Sequence, residues 1–365
     1  MRSMLQGISV FMAVLLVSCG GGSGHQQREQ PTSAATVPPV LSISAFYYTD
    51  PPAMSDLEWL TRYVGAFQMT LDAGATGQFV SFRWSELEPR RGQYNLSKLE
   101  EFRGAMQTAA TYNLTQLVGL QIINTVSREV PAELVNTAWD DPAMISALED
   151  LLDQLLPIMA QEVAYLSIGN EVDVYFAGGH SDELDAYQAL FANLHDYVQQ
   201  RSPHIKTGMT ITASGWLGSN SQQLLDLNQQ ADVLITTYYP LNTDFTVQPP
   251  TAPAAAFADL VALAGSRSLI LQEVGYPSAT GNGSSENQQA EFIHQTLSAW
   301  RDHQNRIPFL NLFLLHDFST ALVNELVSYY GESDPRFRSY LDSLGLRHRD
   351  NTDKPAWQAV LTEMQ

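Results

Sequence analysis

Two short stretches place carboxylates where they could react. "VAYLSIGNE" (163–171) runs from an apolar, strand-like segment through Gly169 to Asn170 and Glu171. "SLILQEVG" (268–275) ends in a similar way on Glu273. A pair of carboxyl groups can divide into a protonated general acid and an ionised nucleophile or base. That division of labour is what cleavage of a glycosidic bond requires. A lone glutamate at a strand end is more often solvated or ion-paired. The pair carries meaning only if the fold brings both strand ends to one cavity.

The elements that must do this alternate along the chain. Strand candidates are 40–48, 78–84, 115–123, 163–170, 205–212, 232–239, 268–275 and 309–316. Most are nearly continuous in apolar residues, as strands covered on both faces are. Helical patterns fill the gaps. Capping boxes are expected at Ser55/Glu58, Ser97/Glu100 and Ser285/Gln288. Asp141 followed by Pro142 marks another helix start, and Lys354-Pro355 the last one. Apolar residues at 184, 187, 191, 194 and 198 form one helical stripe. Eight such alternations predict a single-domain (β/α)₈ (TIM) barrel. The rival is an open doubly wound sheet, but "TDPPAMSD" after the first strand lacks the glycine-rich turn usual there. Residues 317–351 exceed what a barrel connection needs, and an extra subdomain or lid is expected there.

In such a barrel the C-terminal strand ends face the active site. They carry Arg83 and Trp84, Asn170 and Glu171, Trp216, Tyr238 and Tyr239, Glu273 and Tyr276, and His316 and Asp317. Trp84, Trp139, Trp216, Tyr175 and Phe245 are either platforms for a sugar face or core fillers. His316 and Asp317 are adjacent and point to opposite faces if the strand continues, so no metal site is expected. Zinc-type spacing and phosphate-cradling loops do not occur, and no cofactor is implied.

Several segments together resemble the large clan of retaining glycoside hydrolases with (β/α)₈ barrels, clan A. "IGNEV" and "LQEVG" are similar to that clan's acid/base and nucleophile segments, and "TTYYP" to its strand-6 segment. "SFRWSELEPRRGQYN" is similar to its strand-2 segment, and "KPAW" is common there too. Within the clan, "YLSIGNEV" and "GYPS" resemble the β-1,3-glucanase and β-1,4-galactanase families. The resemblance implies Glu171 as general acid/base and Glu273 as nucleophile. Asn170 would hold the sugar 2-hydroxyl. Tyr239, or Tyr238 in its stead, would donate to Glu273, and Arg83 would keep Glu273 ionised. Trp84, Trp216 and His316 join them as candidate substrate-binding residues. Clan members often have a tryptophan at the end of strand 8, where this chain has "LFLLHDFST".

The N-terminus implies an envelope location. Residues 8–17 are an apolar run too short to span a bilayer, and "LVSC" follows to Cys19, the single cysteine. This resembles a bacterial lipoprotein signal (residues 1–18), with Cys19 the lipidation site. The alternative is an ordinary secretory signal. A Gly/Ser/Pro-rich tether (19–38) would join it to a hydrolase domain (39–365). With 19 basic and 39 acidic residues the net charge is −20, which disfavours nucleic acid and anionic lipid as partners. The combined expectation is a monomeric retaining glycoside hydrolase acting on a β-linked glucan or galactan, touching membrane only through its anchor. A transglycosylase on the same site and a non-catalytic glycan-binding lipoprotein are the alternatives.

Overall fold

The computed structural model describes residues 38–46, 56–159 and 161–365. The leader, Cys19, nearly all of the tether and the Ser55 cap lie outside them. Eight strands surround one axis: β1 (Val40–Ile43), β2 (Gly77–Arg83), β3 (Thr115–Asn124), β4 (Val163–Asn170), β5 in two pieces (Lys206–Gly208 and Thr210–Thr212), β6 (Val233–Tyr238), β7 (Ser268–Val274) and β8 (Phe309–Leu312). All neighbours pair in parallel. β1 closes on β8 with Ser42 opposite Asn311. The two pieces of β5 pair with β4 and with β6, so the ring is continuous. This is the (β/α)₈ barrel, a single domain, with the doubly wound alternative excluded.

The helices are α1 (Asp56–Asp72), α2 (Leu96–Tyr112), α3 (Pro142–Leu155), α4 (Leu184–Arg201), α5 (Ser221–Leu227), α6 (Ala252–Leu263), α7 (Glu286–Asp302), α8 (Thr320–Tyr330), α9 (Pro335–Asp342) and α10 (Pro355–Glu363). The start of α7 is capped by Ser285, which accepts from the Gln288 amide. Asp141 caps α3 ahead of Pro142. At α2 the expected cap is corrected. Asn95 accepts from the Lys98 amide, and Ser97 already sits inside the first turn. The stripe on α4 is buried as its period requires.

Two layers of side chains fill the barrel itself. The lower is apolar and includes Val40, Leu117, Tyr165, Ile235, Ile270 and Phe309. Two residues further along most of the strands the same face turns polar. Ser42 donates to Asn311 (2.8 Å), Ser167 bonds Thr210 (2.6 Å), and Thr210 donates to Gln272 (2.7 Å). The carboxylate pair stands on this polar tier. Residues 317–351 hold α8 and α9, which build their own apolar cluster around Phe318, Val323, Leu326, Phe337 and Leu341. Their base is tied down by Lys354, whose buried ammonium donates to Asp317 (2.7 Å) and to the Gly345 carbonyl (2.9 Å).

Candidate active site

Strict alternation would not deliver either glutamate to the cavity. In β7, Ile270 and Gln272 face the barrel interior, so Glu273 should face the helices. Pairing slips on both sides at this point. Thr236 opposes Leu271 but Thr237 opposes Glu273, while Leu310 opposes Leu271 but Leu312 opposes Val274. The extra residue is a β-bulge, and it turns Glu273 inward beside Gln272. In β4, Tyr165 and Ser167 face inward, and the break comes at Gly169 (φ 89°), followed by Glu171 in the left-handed region (φ 47°, ψ 47°). Asn170 and Glu171 both reach the cavity as a result.

The glycine is obligatory on two counts. Its φ disfavours any side chain, and a Cβ there would collide with the Tyr187 hydroxyl and lie 2.6 Å from Val172 Cγ1. The Tyr187 hydroxyl is committed, donating to the Ile168 carbonyl at 2.9 Å. Gly169→Ala is expected to cost about 2–4 kcal/mol in urea denaturation. Gly65→Ala, in α1 with open space around it, is expected to stabilise by about 0.5–1 kcal/mol in the same assay.

Each carboxylate has its own hydrogen-bond donors. Thr237 Oγ1 (2.7 Å) and Thr125 Oγ1 (3.0 Å) donate to the two oxygens of Glu171. Thr125 is a β-branched residue at φ 50°, an uncommon conformation of the kind that clusters at functional sites. Tyr239 donates to Glu273 Oε2 at 2.6 Å. Asn170 accepts from Gln272 Nε2 (2.8 Å) and donates to Asn124 Oδ1 (3.2 Å), so its amide is oriented from below by the polar tier. Both carboxylates, Asn170 and Tyr239 line a cavity of about 210 Å³ together with Arg83, Asn124, Phe313, Tyr329, Tyr330 and Tyr340.

Burial raises the pKa of both glutamates. For Glu171 the nearby Asp173 charge adds to the effect, against the two threonine hydrogen bonds. For Glu273 burial and then the Glu171 charge push it up to about 7, against the Tyr239 and Gln272 hydrogen bonds. Two carboxyl groups buried in one cavity share one proton readily and lose it reluctantly. The folded chain therefore holds an extra proton between about pH 4.5 and about 7. The stability linked to it is present below the unfolded pKa and is lost as pH rises through the folded one. Glu273→Gln is neutral throughout and escapes that loss. It should melt several °C above wild type near pH 8, on the order of 2 kcal/mol, with the gap closing near pH 4.

Other expected site residues are placed elsewhere. Trp84 is fully buried, its indole donating to Glu88 (2.8 Å). Trp216 is fully buried in the main core. Trp84 opens the helical turn Trp84–Leu87 after β2, and Trp216 ends the turn Ala213–Trp216 after β5. Tyr238 packs on Phe257 and Phe292 in that layer, so of the two tyrosines Tyr239 alone reaches Glu273. His316 is buried off the cavity. One ring nitrogen lies 3.0 Å from the Phe46 carbonyl oxygen and the other 2.9 Å from Asn351 Oδ1. Trp139 is a core residue under the Arg128 guanidinium (3.9 Å), and Tyr175 is buried against His180. Arg83 does line the cavity but faces Glu129 (3.9 Å) and Glu86 (4.0 Å), with Tyr329 5.2 Å from its guanidinium. Its charge is taken up there. Among the described residues no group of His, Cys, Asp or Glu is arranged to hold a metal ion. No described helix is long and apolar enough to cross a membrane.

Sequence reasoning missed Thr125, Thr237, Gln272, Asp173, Phe313 and the three tyrosines of α8 and α9. Thr237 lay inside "TTYYP" and Gln272 inside "LQEVG", so parity along those strands could have found them. The tyrosines carried no signal before the fold of 317–351 was known. Phe313 follows β8, where the resemblance led one to look for a tryptophan.

No family model matches this chain, and no curated protein does. Solved structures do. The exo-β-1,4-mannosidase Op5Man5 from Opitutaceae bacterium strain TAV5 is 16% identical with a TM-score of 0.67, covering 89% of this chain. The match spans only 59% of that longer chain. A GH5_18 protein from Streptomyces cattleya, solved with Manβ1-4GlcNAc, is 20% identical with a TM-score of 0.65, over 89% of this chain and 79% of that one. The β-glycosidase BGL167 is 12% identical with a TM-score of 0.57, over 82% and 84%. At these identities the likeness establishes the fold, a (β/α)₈ barrel of the kind these glycoside hydrolases have.

Proposed function

We propose that the protein is a retaining β-glycosidase working by double displacement. The observation that carries this reading is the shared cavity. Glu171 and Glu273 line it from β4 and β7, one bonded by two threonines and the other by a tyrosine. Glu171, its pKa raised by burial and by the Asp173 charge, is the acid that releases the leaving oxygen and later the base that activates water. Glu273 attacks the anomeric carbon, with Tyr239 stabilising its charged form. Because the two carboxyl groups are coupled, ionisation of either one tightens the proton on the other. Asn170, pinned by Gln272, sits where an amide could hold a sugar hydroxyl. The β-linkage is supported by the strand-end motifs and by the Manβ1-4GlcNAc complex of a structural neighbour. The roof formed by α8 and α9 favours short glycosides or chain ends over the middle of a long polysaccharide. The "LVSC" segment supports a lipid-anchored envelope protein.

The test is a panel of aryl β-glucosides, β-galactosides and β-mannosides, with NMR of the first product from any that turns over. The β anomer should form first and mutarotate afterwards. An α anomer formed first overturns double displacement. Oligosaccharide binding without turnover overturns the enzymatic reading in favour of a glycan-binding protein.

A further inference from the structure

A second cavity, of about 400 Å³, adjoins the first. The two share Glu171, Tyr239, Tyr330 and Tyr340 in their walls, but only the first is lined by Glu273 and Asn170. If the double displacement proposed above holds, this asymmetry assigns the cavities. The attacked carbon lies between the two carboxylates, and the leaving oxygen lies against the acid, away from the nucleophile. The sugar that is attacked therefore occupies the first cavity, and the leaving group occupies the second.

The chemistry of the second cavity is not that of a sugar subsite. Val126, Val174, Leu241, Phe245 and Phe337 supply much of its wall. Phe337 packs 5.1 Å from Phe245 and edge-on to Tyr330 at 5.4 Å. Among the described residues, no arginine, lysine, asparagine, glutamine or histidine lines it. Most of the polar groups it does have are committed. Thr125 and Thr237 bond Glu171, and Thr212 bonds Asp173 and Ser214. One oxygen of Glu332 accepts from two backbone amides. The tyrosine hydroxyls are turned to Glu273, Thr125 and Tyr239. A second sugar ring would bury several hydroxyls here with few partners, which is costly, whereas an apolar group loses nothing and gains from burial. The size lies within the roughly 300–1,000 Å³ of ordinary small-molecule sites.

We propose that the natural substrates are β-glycosides of apolar alcohols, alkyl or aryl, whose aglycone fills this second cavity while the sugar occupies the first. Cleavage then proceeds with balanced bookkeeping of atoms. Glu273 forms a bond to the anomeric carbon as the C–O bond to the aglycone breaks, and Glu171 gives its proton to the departing alcohol. Water, losing a proton to Glu171, then releases the sugar from Glu273.

The sugar is fixed as the one the aryl-glycoside panel identifies, and its methyl, hexyl and benzyl β-glycosides are compared with the corresponding β-linked disaccharide. kcat/KM for the hexyl and benzyl glycosides should exceed that for the methyl glycoside by roughly tenfold or more, with the disaccharide no better than methyl. Phe245→Ser should shrink the hexyl-to-methyl ratio several-fold. The wild-type series stands by itself should that variant fold poorly. A disaccharide cleaved tenfold better than the hexyl glycoside, or a flat series from methyl to hexyl, overturns the inference while leaving the glycosidase reading intact. If nothing is turned over, dinitrophenyl β-glycosides included, both fall together.

Discussion

Glu273→Ala is expected to lower turnover by roughly 10⁴-fold or more, because no other group stands ready to form the bond to the anomeric carbon. The loss should be partly reversible. The deleted carboxylate leaves room beside Tyr239 and Gln272, and added azide or formate can attack from that side. With azide the product should be the α-glycosyl azide, since one displacement inverts where two retain. Finding that product by NMR assigns Glu273 to the nucleophile's face of the sugar. A variant with near wild-type activity on a natural substrate would sink the assignment.

Glu171→Ala is expected to behave in a different way, which makes the pair of variants more informative than either one. A dinitrophenyl leaving group needs no proton, so the first step should survive. The second step lacks its base, so a glycosyl group should accumulate on Glu273 and appear as a burst followed by a slow phase, with added mass on the protein. Alkyl glycosides need the acid, and their kcat/KM should fall by about 10³-fold or more. Azide should again accelerate turnover, now by replacing water in the second step, and the product should be the β-glycosyl azide. Opposite anomers from the two variants would separate the roles. The same anomer from both would show that the roles have been misassigned.

The barrel was legible in the sequence because parallel strands covered on both faces leave continuous apolar runs that need no partner to recognise. All eight appear, although the observed β1 (Val40–Ile43) and β8 (Phe309–Leu312) are shorter than the runs and β5 is broken in two. Glu171 and Glu273 were legible as strand-end residues, but their orientation was not. It depends on a bulge in β7 and on the left-handed Gly169, and both are properties of pairing and packing rather than of residue type. The wrong placements share one cause. Trp84 and Tyr238 sit at strand ends, as the two glutamates do, but on the side that turns to the helices, and Trp216 lies a helical turn beyond its strand. A shift of one position separates a substrate platform from a core residue, and sequence alone fixes strand ends less finely than that. His316 lies just past β8, where the chain has left the sheet, and its ring is held between the Phe46 carbonyl and Asn351. Arg83 reached the cavity as expected, but Glu129 and Glu86, whose nearness no spacing revealed, claim its charge.

The roof over the carboxylates has an evolutionary consequence. Tyr329, Tyr330, Phe337 and Tyr340 all come from one contiguous segment, α8 to α9, inserted between the last strand and the last helix. That segment carries its own apolar cluster and is fastened at its base by Lys354 and Asp317. The bulge, the left-handed turn and the polar tier that aim the two glutamates belong to other parts of the chain. Mutations in the insert can therefore reshape which molecules are admitted while the reacting groups stay in place. A lineage carrying this barrel can change what its cavity admits by editing a single stretch of gene, and selection on that stretch can run nearly independently of selection on the two glutamates.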